Sequence, residues 1–194
     1  MTTQQIRGTV LKARLAFVEE AAGKDGVARM LAALPPEDQK ILKMVLSISW
    51  YPFALGTRLD QAIVTVLAGG DPRYFEKLGE ASAANNLASA HRAYLTKGDA
   101  HAFLAKAPQI YRMYYEVGRR EYERTGEREG VLTTYDADTF SAPDCQTVIG
   151  WYERALEMCG ASGVRIVEVE CRAAGGATCR YNVSWAAVAQ SEAP

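Results

Sequence analysis

Over the first two thirds of the chain, apolar positions recur at the spacing of half-buried helices; in the last third the period shortens toward alternation. Across residues 6–21, Val10, Leu11, Leu15, Phe17 and Val18 share a face, and Gly23 is placed to end that helix. A second helix is expected from Asp25 to Leu34, stopped at Pro35-Pro36. Pro36 then starts another over 37–48, with Glu37 and Asp38 complementing its positive end. Trp50-Tyr51-Pro52-Phe53 reads as an aromatic corner, because Pro52 interrupts any helix through it. Leu55 to Ala68 reads as a buried helix ended by Gly69-Gly70. Asp71-Pro72 opens the next, running toward Ala93 and rich in small residues, and one more covers about 100–118.

After Gly118 the pattern changes. Residues 119–124 and 130–135 read as a hairpin around Thr125-Gly126, followed by a helix over about 144–158. Residues 164–171 and 179–185 are the clearest strands. The fold class expected is α+β: an N-terminal helical portion packed on a C-terminal four-stranded antiparallel sheet, with a helix inserted between its two hairpins. A single domain over 1–188 and a disordered tail over 189–194 complete the expectation.

Composition narrows the class. A chain of 194 residues, 48% hydrophobic and with a formal net charge of −1, lacks the basic footprint of a nucleic-acid binder. No apolar run reaches the length of a membrane span, and Met1-Thr-Thr-Gln-Gln lacks the basic start of a signal peptide. A cytoplasmic location is therefore expected, where thiols stay reduced and cysteines favour metals over disulfides.

All four cysteines lie in the last third, and Cys145, Cys171 and Cys179 stand in one spaced set with Glu168. Three thiolates and a carboxylate suit tetrahedral zinc, which accepts sulfur and oxygen ligands together. If a turn centres on Gly175, residues 171 and 179 face each other across a hairpin, with Cβ atoms about 5 Å apart. Cys145, opening the preceding helix, could supply a third sulfur stabilised as thiolate by the helix end. Strict alternation puts 168 and 171 on opposite faces, so Glu168 joins only through a bulge. The competing reading makes the cysteines small buried hydrophobes and both Glu168 and Glu170 solvent-facing.

The run Cys145-Gln-Thr-Val-Ile-Gly150-Trp, then Glu168-Val-Glu-Cys171, Gly175 and Cys179, resembles the 4-vinyl reductase-type domain over roughly residues 110–186. It is most similar to the sensory domains of bacterial activators that detect phenol and xylene. That resemblance implies a structural zinc on Cys145, Glu168, Cys171 and Cys179. Arg7-Gly-Thr-Val-Leu-Lys with Phe17-Val18-Glu19 and Gly23 resembles the start of haem nitric-oxide-binding domains, of the same fold superfamily. Nearly the full length resembles a myxobacterial paralogous family of unassigned function.

A haem domain of that type needs an axial histidine and a Tyr-x-Ser-x-Arg motif. Only His91 and His101 are present and the motif is missing, so no haem is expected. Aromatic residues suggest instead a cleft for a small hydrophobic molecule, lined by Trp50, Tyr51, Phe103, Tyr111, Tyr115 and Trp151. No nucleophile–base set or phosphate loop appears, so an enzyme is not expected. The function expected is a stand-alone sensory domain that binds a small hydrophobic molecule and signals to a protein partner in trans, with homodimerisation possible. The alternative is a structural adaptor module resembling dimeric vesicle-tethering subunits, with no small-molecule ligand.

Overall fold

The structure, a computed structural model, describes residues 4–89, 91–137 and 142–189. It opens with a short strand, β1 (Gln5–Arg7), which the helical reading of residue 6 onward did not anticipate. Helix α1 (Gly8–Ala32) follows and breaks at Gly23, whose φ of 64° only glycine adopts without strain. The two helices expected there are thus one element with a kink. Helix α2 (Pro36–Lys43) starts at the expected proline, and β2 (Trp50–Pro52), the aromatic corner, pairs antiparallel with β1.

Helix α3 (Phe53–Ala68) ends at left-handed Gly69, as its sequence requires. Helix α4 (Tyr74–Ala88) stops short of the expected Ala93, and the single helix expected over 100–118 is two, α5 (Ala100–Leu104) and α6 (Ala107–Tyr114). Pro108 sits in the first turn of α6, where its missing N–H costs nothing. A buried ion pair binds the helical layer together. Arg14 of α1 donates to Asp60 of α3 at 2.7 Å and to the Leu78 carbonyl of α4 at 2.7 Å.

The C-terminal portion matches its pattern closely. Strands β3 (Arg119–Arg124) and β4 (Glu129–Tyr135) form the first hairpin, α7 (Ala142–Met158) is inserted, and the second hairpin follows. It comprises β6 (Arg165–Glu170) and β7 (Cys179–Ser184), flanked by a minor pair, β5 (Ala161–Ser162) and β8 (Ala187–Val188). The main sheet is antiparallel throughout, in the order β3-β4-β7-β6.

Helix α7 lies between that sheet and the N-terminal helices. Gly79 of α4 and Gly150 of α7 let the two backbones touch: a methyl group on Gly79 would strike the Thr147 carbonyl, and one on Gly150 the Glu76 carbonyl. Such contact fixes where Trp151 and Tyr152 point. Of the tail expected over 189–194, residues 190–194 lie outside the described residues, while the Ala189 amide donates to the Gly160 carbonyl. Among the described residues no helix is long and apolar enough to cross a membrane.

Candidate functional site

Two features converge on the inner face of the sheet. The first is the cysteine set. Cys145, in the first turns of α7, has its Sγ 3.6 Å from that of Cys171 and 3.8 Å from that of Cys179. A tetrahedron with zinc–sulfur bonds of about 2.3 Å has sulfur–sulfur edges of about 3.8 Å. The two sulfur separations are close to those edges. Glu168 completes the group, with one ligand atom from each of the four residues lying within 4.8 Å of all the others.

Glu168 gets there by the route the alternation problem required. The register of β6 against β7 shifts between Glu168, opposite Tyr181, and Glu170, opposite Arg180. Alternation with buried Ile166 turns Glu168 inward, and the bulge just after it brings Cys171 to the same side. Its Oε1 is buried and has no hydrogen-bond partner among the described residues. An orphaned buried carboxylate oxygen is costly unless something cationic completes it. Glu170 instead accepts from the Ala177 and Thr178 amides and the Thr178 hydroxyl, at 2.8, 2.9 and 3.0 Å, clamping the hairpin loop. The reading that made both glutamates solvent-facing fails for Glu168, while Glu170 does stay at the surface.

The donor set is soft, and one of its members, Cys179, is biased toward the anion. The Cys179 thiol is pulled down to about 6, first by its hydrogen bond with Cys145 and then by the Arg172 amide, against the opposing effect of burial. Cys159, the fourth cysteine, is buried at the other end of α7, and burial raises its pKa.

The second feature is a cavity of about 40 Å³ where α1, α4, α6, α7 and β3 meet. Its walls include Arg14, Ser82, Ile110, Tyr111, Tyr114, Tyr115, Arg120, Thr147, Trp151 and Tyr152. Of the residues expected to bind a ligand, Tyr111, Tyr115 and Trp151 line it together. The other three are elsewhere. Phe103 is buried behind the wall, stacked on Trp151 at 6.3 Å. Trp50 lies on the surface strand β2 beneath the Arg7 guanidinium, 4.0 Å from its ring centroid, and the Tyr51 hydroxyl accepts from the Leu46 amide.

Sequence reasoning missed Arg120 altogether, reading 119–124 only as one strand of a hairpin. Residues 120 and 122 are the inward positions of that strand, and Arg120 is only 6% exposed. Its Nε donates to Thr134 Oγ1 at 2.9 Å, and its guanidinium lies over the rings of Tyr111 and Tyr152 at 5.2 and 5.4 Å. Burial opposes its charge, but the Tyr152 and Tyr181 hydroxyls favour it more, so its pKa is raised and it is a cation. Cross-strand pairing sets Arg120, Thr134 and Cys179 in one row, so the cavity and the cysteine set are neighbours about 10 Å apart.

Comparison with known proteins gives both a family and a fold. No curated protein matches the sequence. Residues 56–186 match the family described as "Protein of unknown function (DUF2378)", and the chain belongs to it. Among solved structures, a mutant H-NOX protein from S. oneidensis in the Fe(II) ligation state has a TM-score of 0.76 at 14% identity. The match covers 95% of this chain and 98% of that one. The Fe(II) unliganded H-NOX protein from K. algicida has a TM-score of 0.72 at 13% identity, covering 96% and 100%. A structure described as modulating haem redox potential through protein-induced porphyrin distortion has a TM-score of 0.64 at 10% identity, covering 92% and 99%. The shared fold is therefore that of H-NOX proteins.

This likeness corrects the expectation of no haem. The chain has the fold of proteins described by their Fe(II) state and their haem, so a missing tripeptide is not grounds for excluding the group. Space and side chains give the test in this chain. As folded, the cavity of about 40 Å³ does not fit a tetrapyrrole, and Tyr114, Trp151 and Tyr152 occupy the interior around it. His91 Nδ1 is bonded to the Tyr114 hydroxyl at 2.9 Å. His101 has both ring nitrogens engaged, by Tyr122 and the Glu127 carbonyl.

Proposed function

We propose that this member of a family of unknown function is a non-catalytic sensory domain that binds a small molecule in the interior cavity and carries a structural zinc on Cys145, Glu168, Cys171 and Cys179. The zinc part finds support in the sulfur separations and the orphaned Glu168 oxygen, and in the sequence resemblance to the phenol- and xylene-responsive sensors. A full set of four ligands leaves no open position, which fits a structural staple better than a catalytic metal. Bound there, the ion would tie α7 to the β6–β7 hairpin.

The observation that carries the sensory reading is the row Arg120–Thr134–Cys179, which sets an aromatic-walled cavity beside that staple. An occupant that moves Arg120 or Trp151 would press on α7 and on the hairpin together, and a partner could read the resulting shift. The fold shared with H-NOX proteins is consistent with such a role.

A second reading, a dimeric adaptor, is favoured by one observation. Met44, Leu46 and Ile48, following α2, are 65%, 59% and 83% exposed, an apolar run facing solvent.

Native mass spectrometry of freshly purified protein tests these readings at once. One zinc lost on chelation, with a lowered melting temperature, plus a retained small molecule, is the expected result. A metal-free, ligand-free monomer with an intact fold would overturn the proposal. A metal-free, ligand-free dimer would replace it with the adaptor.

A further inference from the structure

The cavity contains two buried arginines in opposite states. Arg14, 5% exposed, is fully answered: Asp60 takes two of its nitrogens and the Leu78 carbonyl a third. Arg120, 6% exposed, has no carboxylate within ion-pair distance among the described residues, and its Nε hydrogen bond goes to the neutral Thr134 hydroxyl. Buried charges are ordinarily paired, because desolvation without a counter-charge is expensive.

A second, independent observation lies against the same space. The Tyr152 hydroxyl is buried, and its proton finds no acceptor among the described residues. Arg120 bears on its oxygen as a donor, which leaves that proton unspent. A guanidinium with unused donors and a hydroxyl with an unused donor therefore face one cavity. Both lack the same thing, a strong acceptor.

Resting on the reading that the cavity holds a ligand, we infer that this ligand carries a carboxylate, received by the Arg120 guanidinium and the Tyr152 hydroxyl, with its apolar remainder between Trp151 and Tyr115. Size agrees. A water needs about 10–15 Å³ of such space, so about 40 Å³ accommodates the few atoms of a carboxylate head, not a whole drug-sized molecule. Trp151 and Tyr115 are the partly exposed residues of the wall, so the remainder of the ligand would extend past them. A guanidinium and a carboxylate pair through two parallel hydrogen bonds, which gives selectivity over a neutral isostere. The aromatic rings around Arg120 orient its plane without neutralising it.

The deciding experiment is calorimetric titration of the full chain at neutral pH with benzoate and butyrate, each against its amide, benzamide or butyramide. At least one acid is expected to bind about ten-fold or more tightly than its amide. Preference for benzoate or for butyrate tells an aromatic from an aliphatic source. Arg120→Gln should erase the acid–amide difference. Tyr152→Phe keeps the ring and removes only the hydroxyl, and should weaken the acids several-fold and the amides less, because a charged acceptor loses more than a neutral one. Equal binding of acid and amide by the parent protein would overturn the carboxylate inference and leave the small-molecule reading standing. Unchanged acid binding in both variants would overturn it too. If neither acids nor amides bind, and native mass spectrometry finds no retained molecule, the small-molecule reading itself falls.

Discussion

Glu168 and Glu170 are two residues apart in sequence and would share a face in a regular strand. The bulge between them separates their fates: one enters a cysteine cluster with an oxygen left unbonded, and the other closes the loop of a hairpin. A substitution at 168 should therefore have opposite effects on two forms of the protein. With zinc bound, Glu168→Ala should weaken metal retention at least about ten-fold, the loss that even an outer partner of a ligand can cause. In the chelated protein, the same change removes an unsatisfied buried oxygen and should raise the melting temperature. Competition with a chromogenic chelator and paired thermal melts measure both. A melting temperature that falls equally in both forms would reduce Glu168 to an ordinary packing residue.

At the scale of elements, the contact between α4 and α7 decides where the cavity wall stands. Small residues along both helices are visible in the sequence, but nothing in one helix says which glycine meets which backbone. Gly150→Ala sets a methyl against the Glu76 carbonyl, a backbone atom that cannot swing aside. The expected cost is about 2 kcal/mol or more, read by denaturant unfolding. The neighbouring Trp151 should move with the helix, so its fluorescence should shift. An unfolding midpoint within error of the parent would mean that the two helices are not held at this distance. Elsewhere the elements follow their local signals: Pro36 begins α2, Gly69 ends α3, and alternation marks β6 and β7. The departures have tertiary causes. The strand β1 exists only because β2 is there to pair with it, and the long helix expected over 100–118 divides just before Pro108.

For the whole molecule, charge adds a pH dependence. Glu80 of α4 is held above the usual carboxylate range by burial first and then by Glu157 and Glu76, with Lys77 and Arg154 opposing. Glu153 of α7 is raised likewise by burial, against the hydrogen bond it accepts from the Ile166 amide. Folded carboxyls with raised pKa values bind protons more readily than the unfolded chain. Between the unfolded value of about 4.3 and the raised folded values, stability therefore falls as pH rises. Glu80→Gln removes one such group, so the melting temperature lost between mildly acidic and neutral pH should be smaller in the variant than in the parent at low salt. An identical loss in both proteins would mean that Glu80 does not contribute.

Periodicity and punctuating glycines and prolines were enough to specify the helical portion and the two hairpins with their inserted helix, because those features act through neighbours along the chain; the cysteine spacing only suggested a cluster, and the family resemblance singled out its four residues. The bulge that sets Cys171 beside Glu168, the exchange of Trp50, Tyr51 and Phe103 for Tyr152 and Arg120 at the cavity, and the burial of that arginine without a carboxylate belong to tertiary structure. They depend on which strand, helix and side chain meet across the sheet, and a charged residue in an alternating strand carries no local mark of the face on which it will be buried.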